Sequence, residues 1–171
     1  ENAFAGHSVP SGAAMRRRLW VELRAFEGAN VIFESGVVAD QTPVASSTDP
    51  NLWLLRDRML DADGNETFTL FEMVTLERAH LPAARAPFDK QHQRQRTFNI
   101  PVSSGKPDRI TLRMLLRPLA LEVLADLAKG GYLDPSLIAA SPTFVALDIE
   151  WTPAKLGGKL TGCYPKDPFT L

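Results

Sequence analysis

The chain has 171 residues, 44% of them apolar, which fits one domain with a real core. Nineteen Lys and Arg stand against 20 Asp and Glu, a net charge of −1 that excludes a general polyanion binder. The 23% charged fraction with three Trp excludes a disordered chain, and no apolar run approaches the ~20 residues of a membrane span.

Eleven Gly and 13 Pro predict many turns and short strands. Residues 1–15 read as an ordered loop. Glu1–Gly12 lacks the basic and apolar regions of a signal peptide, so a mature or truncated product is expected. From Arg16 to Phe26 the chain alternates, with Leu19, Val21, Leu23 and Ala25 on one face and Trp20, Glu22, Arg24 and Phe26 on the other. That period of two predicts a strand. Glu27–Asn30 is a turn and Val31–Ser35 its returning strand. Val37–Pro50 is a polar, Pro-broken loop. Leu52–Leu60 predicts a strand closed by the turn at Asp61–Asn65, with Thr67–Leu76 returning.

Glu77–Arg96 reads as an exposed, Arg-rich excursion. Strands follow at Thr97–Val102, Arg109–Arg117 and Thr143–Trp151, the last with Val145, Leu147, Ile149 and Trp151 on one face. One amphipathic helix is predicted at Leu119–Lys129, its stripe Leu121, Leu124, Leu127 and Ala128. A shorter helical turn is predicted within Asp134–Ala140. The expected architecture is mainly β: an antiparallel β-sandwich, Ig-like or jelly-roll-like, over residues 1–153, with 154–171 an extended tail packing on it.

Chemistry concentrates near the N-terminus. Gly6 and Gly12 frame a loop stiffened by Pro10, and such a loop can hold His7 in a fixed direction. A fixed neutral imidazole can ligate haem iron, copper or zinc, or it can bond locally and organise the loop. Without companion ligands the residues alone weigh toward the second use. Cys163 is the chain's one cysteine, so no intrachain disulfide or CxxCH haem attachment is available.

The segment Asn2…Gly6-His7…Pro10-Ser11-Gly12, followed by Arg17, Trp20 and Phe33-Glu34-Ser35-Gly36, resembles the β-rich domain found in multihaem c-type cytochromes. Asp61–Glu66 resembles that family's D-x-x-G-N-E turn, and Leu115-Leu116-Arg117-Pro118 an element preceding its helix. The resemblance implies a periplasmic or extracellular bacterial β-sandwich, without catalysis of its own, packed against haem domains in electron transfer. It implies His7 as an axial ligand to haem c of a neighbouring domain or subunit, with Asn2, Gly6, Pro10 and Gly12 supporting the loop. The absence of CxxCH puts those haems outside these 171 residues.

Other candidates are weaker. Asp61, Asp63, Asn65 and Glu72 fall at calcium-loop spacings, but Glu66 stands where the sharp turn needs Gly, which favours a hairpin turn over a calcium site. His7, His80 and His92 could in principle form a three-His metal site. Arg78, Arg85, Arg94 and Arg96 could meet haem propionates or remain solvated. Within Arg16-Arg17-Arg18, alternation points Arg17 away from its neighbours and suggests a buried or paired Arg17. No hydrolase, zinc-protease or phosphate-loop motif occurs. The competing functional classes are an adhesive or carbohydrate-binding sandwich and, below it, a small His-based metalloenzyme.

Overall fold

The computed structural model describes residue 2 and residues 6–83 and 93–153. The alternating segment forms β1 (Arg18–Glu27), the hub of a five-stranded antiparallel sheet. One edge of β1 is shared by β2 (Asn30–Ser35), paired along residues 23–27, and by β3 (Trp53–Leu55), paired along 19–21. A separate two-stranded sheet joins β4 (Asp57–Leu60) to β5 (Thr75–Arg78). On the other edge of β1 lies β6 (Arg109–Arg117), followed by β7 (Phe144–Trp151). Between them run α1 (Leu121–Lys129) and the single turn α2 (Ser136–Ala139). The fold is mainly β with few helices. Among the described residues no helix is long and apolar enough to cross a membrane.

Register assigns the two faces of the large sheet. Leu19, Val21, Leu23 and Ala25 pair with Leu116, Met114, Leu112 and Ile110. Leu147, Ile149 and Trp151 continue that apolar face. The opposite face carries Trp20 beside Leu115, then the cross-strand pair Glu22 and Arg113. Trp20 is buried, with Val44 and Leu115 packed around it and Val38, Leu52 and Leu54 at the margin. Val44 reaches it because a short 3-10 turn, Val44–Ser46, folds the Pro-broken loop inward.

Several boundaries depart from the sequence expectation, each for a local reason. The strand expected over Leu52–Leu60 divides at Arg56. Arg56 turns its guanidinium onto half-buried Glu66, while its carbonyl accepts the Ala79 amide, so the two halves join different sheets. The returning strand starts at Thr75, not Thr67, because Thr67 Oγ1 accepts the Thr69 amide and donates to Glu72, turning the chain. Residues 97–101 form no strand, and Val102–Ser104 is a 3-10 turn. In β7 the pairing slips between Met114 and Leu115, so Val145 shares a face with Leu115, not with Leu147. The buried stripe of α1 is Leu121, Val123 and Leu124, with Leu127 exposed. The expected tail, 154–171, lies outside the described residues, Cys163 included.

The corner after β2 depends on Gly36. Its φ is +69°, and a Cβ there would overlap the Val21 carbonyl. Its amide donates to Asp49 Oδ2 at 2.6 Å, and its carbonyl accepts Trp20 Nε1–H at 3.1 Å. Gly36→Ala therefore combines left-handed strain with overpacking, a loss of about 3 kcal/mol. Gly28, also at positive φ but with open space around it, should lose only about 1 kcal/mol as Gly28→Ala. Urea denaturation of both variants checks this; equal losses would contradict the close approach.

Candidate functional site

The glycine-framed loop is tied down at both sides of His7. Buried Asn2 donates from Nδ2 to the His7 carbonyl at 2.7 Å and to the Pro82 carbonyl at 3.1 Å. Val9 and Leu81 exchange two backbone hydrogen bonds, each 2.8 Å. Pro10 is buried, and the Val9–Pro10 bond is cis. Gly12 has φ +66°, and the Arg17 guanidinium lies 3.7 Å from where its Cβ would stand. The tip bearing His7 is exposed.

His7 Nδ1 sits 3.0 Å from the Ser8 carbonyl. A carbonyl only accepts, so Nδ1 carries the proton, and in the neutral ring Nε2 keeps its lone pair. No described residue bonds Nε2. An exposed imidazole whose Nδ1–H is held by a backbone carbonyl, leaving the Nε2 lone pair available, is the form in which histidine commonly ligates metals.

The other proposed ligands do not converge on it. His80 Nδ1 bonds Asp57 Oδ1 at 2.6 Å, and His92 lies outside the described residues. Asp61 Oδ1 accepts the amides of Asp63 and Asn65 at 3.0 and 2.8 Å, so that carboxylate closes its own turn, and Glu72 faces Thr67 instead. Among the described residues no group of three His, Cys, Asp or Glu could hold a metal ion. Arg94 donates to the His80 carbonyl and Arg96 to the Pro50 carbonyl, Arg78 is exposed on β5, and Arg85 lies outside the described residues.

The principal charged cluster escaped the sequence reading. Arg18, not Arg17, is the buried arginine, with no exposed surface. Its Nη1 donates to the carbonyls of Met15 and Arg17, and its Nε to Glu122 at 3.2 Å. Glu66 lies 3.9 Å away, where Arg56 grips both of its oxygens and Arg58 approaches to 3.8 Å. Burial alone would raise the Glu66 pKa, but Arg56, Arg18 and Arg58 outweigh it and hold the carboxyl below its usual range. Burial lowers the Arg18 pKa, reinforced by Arg56 and opposed by Glu122 and Glu66. The signal available in sequence was the alternation that puts Arg18 on the Trp20 face.

Compared with family models, with curated proteins and with solved structures, the chain gives no significant match.

Because the folded-state pKa of Glu66 is depressed, its stabilisation is fully present above the unfolded value of about 4.5 and lost as pH falls through the folded value. Wild-type stability should therefore decline from about pH 5 downward. In Glu66→Gln that slope should flatten, leaving the part owed to two other lowered carboxyls: Asp49, where burial opposes the shift but hydrogen bonds from Gly36, Ser35 and Asn51 prevail, and exposed Asp134, held by the Ser136 amide and hydroxyl. At neutral pH the variant should lose about 3 kcal/mol by stranding buried guanidinium groups. Urea denaturation between pH 3 and 7, as an approximate working range, measures both effects.

Proposed function

We propose that this chain is an extracytoplasmic, non-enzymatic β-sandwich domain or subunit of a multihaem cytochrome assembly, and that it presents His7 as an axial ligand to a neighbouring haem. In this reading the large and small sheets belong to one sandwich, and its compartment is the periplasm or cell exterior. The observation that carries the proposal is the braced, exposed His7 tip, with Nδ1 committed to the Ser8 carbonyl and Nε2 without a bond to any described residue. The N-terminal motif and the Trp20 strand that follows it supply the link to haem. A second imidazole would make the iron low-spin and tune its potential, while the domain's bulk would lower the dielectric at the haem edge. The electron-transfer chemistry belongs to the haem; the chain contributes a ligand and a shield.

A haem c peptide that carries its own proximal His and an open distal position is a suitable probe. Titrating the wild-type chain should convert its visible spectrum from high-spin to low-spin, with saturation. His7→Ala should abolish the conversion, and His92→Ala should preserve it. No conversion by wild type, or full conversion by His7→Ala, would refute the ligand assignment. Saturable binding of oligosaccharides with no spectral change would point instead to a carbohydrate-binding sandwich.

A further inference from the structure

One flank of α1 borders two adjoining hollows. The larger, about 590 Å³, has Glu66, Phe68, Glu72 and Glu122 among its walls, together with Asp126 and Lys129. The smaller, about 370 Å³, lies at the end of the helix between Tyr132 and the same Asp126 and Lys129. Those two residues are exposed and stand at i and i+3 on α1, so the hollows meet along them. Together they form one cleft of a size that suits a small ligand.

Its outer end is an aromatic platform. Tyr132 is 84% exposed, yet it is held in place: its amide donates to the Leu127 carbonyl at 2.9 Å, and its ring lies over Gly130. A Cβ at Gly130 would stand 2.8 Å from that ring. With φ −76°, Gly130 has a backbone that any residue adopts, so the close ring is what calls for glycine there. The inner end holds polar atoms that the chain does not satisfy. Arg18 is wholly buried beside Glu122, Glu66 and Phe68, all three of them walls of the cleft. Among the described residues neither Arg18 Nη2 nor Glu122 Oε2 has a hydrogen-bond partner. One is a donor without an acceptor, the other an acceptor without a donor. The Glu122 side chain is partly exposed, and its terminal torsion is soft, so a small turn of the carboxylate brings Oε2 to the cleft.

We propose that this cleft binds a neutral saccharide, with hydroxyls at the Arg18–Glu122 end and a sugar ring against Tyr132. The unmet pair decides the chemistry. An ammonium group would satisfy Glu122 but meet the Arg18 cation. A carboxylate or phosphate would satisfy Arg18 but face Glu66, Glu72, Glu122 and Asp126. An apolar ligand would leave both atoms unpaired. A hydroxyl donates to Glu122 Oε2 and accepts from Arg18 Nη2 at once. Midway along the cleft, the Asp126 carboxylate and the Lys129 ammonium supply an acceptor and a donor for further hydroxyls. A pyranose ring joins a hydroxylated rim to a face of C–H bonds, and that face packs on an exposed aromatic ring. His7 lines neither hollow, so the inference is independent of its role as a ligand.

Isothermal titration calorimetry of the full chain against neutral oligosaccharides of glucose, galactose, mannose and N-acetylglucosamine tests it. At least one series should bind saturably. Tyr132→Ala and Asp126→Asn should each weaken that binding by at least about tenfold, with unchanged far-ultraviolet circular dichroism, because both side chains are exposed. Gly130→Ala should weaken it as well by displacing the ring, while stability to urea stays equal or rises, which a glycine of purely structural use would not show. His7→Ala should leave saccharide binding unchanged, which separates this site from the haem-ligand reading. Absence of binding in all four series, or binding indifferent to both Tyr132→Ala and Asp126→Asn, would overturn the proposal. Binding of spermidine in place of the sugars, dependent on Asp126, would overturn it in favour of a cationic ligand.

Discussion

One carboxylate, Glu66, meets three guanidinium groups, and much of the chain's path follows from keeping them together. Arg18 opens the central strand, Arg56 stands where the next strand breaks, and Arg58 continues on the far side of that break. Two of these cations are buried, and a buried cation without a partner is costly enough to unfold a marginal domain. Glu122 adds the first turn of α1 to the same group through Arg18. Strand, strand break, turn and helix are thus fixed to one another by charge as well as by packing.

The Trp20 face of the large sheet extends the same economy. A conventional half-buried sheet would cover one face with apolar side chains and leave the other to water. Here the loop that carries Val44 covers one end of the polar face, and Arg117 is buried there 5.6 Å from the Trp20 ring. Arg117 satisfies itself on neutral oxygens, donating to the Thr42 carbonyl and Thr143 Oγ1. Burial lowers its pKa, with Glu122 and Asp40 opposing. Further along, Glu22 and Arg113 pair across the strands at 2.6 Å, and exposure increases toward the hairpin. Asp49 closes the covered end by binding the Gly36 amide and Ser35 hydroxyl.

What could be read in the sequence was what repeats at short range. The alternation of β1 and β6, the hairpin at Gly28 and the helix before Gly130 all depend on neighbours within a few residues. The strand break at Arg56 does not. Its cause is Glu66 ten residues on, and a run of Leu, Met and Trp gives no local sign of it. Thr67–Leu76 failed for the opposite reason: its β-branched and aromatic residues suit a strand, but Thr67 uses its hydroxyl to turn the chain. In β7 one extra residue, Ala146, reassigns Val145 to the other face, which a strict period of two cannot anticipate. At the candidate site the loop and its histidine were legible from Gly6, Pro10 and Gly12. Its anchors on Leu81 and Pro82 were not, because they lie some 70 to 80 residues away in sequence.

Those anchors connect the His7 loop to the Glu66 cluster. The four residues 79–82 form the link. The Ala79 amide bonds the Arg56 carbonyl, and His80 bonds Asp57, the residue after Arg56. Leu81 pairs with Val9, and the Pro82 carbonyl receives Asn2, which also holds the His7 carbonyl. Each bond alone is worth about 1 kcal/mol. In series they tie the backbone around an exposed imidazole to the chain at Arg56, where the strand breaks. A loop that presents His7 as a ligand, as proposed, has to be open at its tip, so it cannot be stiffened by burial there. Rigidity has to be brought in through the backbone on either side, and the 79–82 segment does this because Arg56 holds one end of it against the two-stranded sheet.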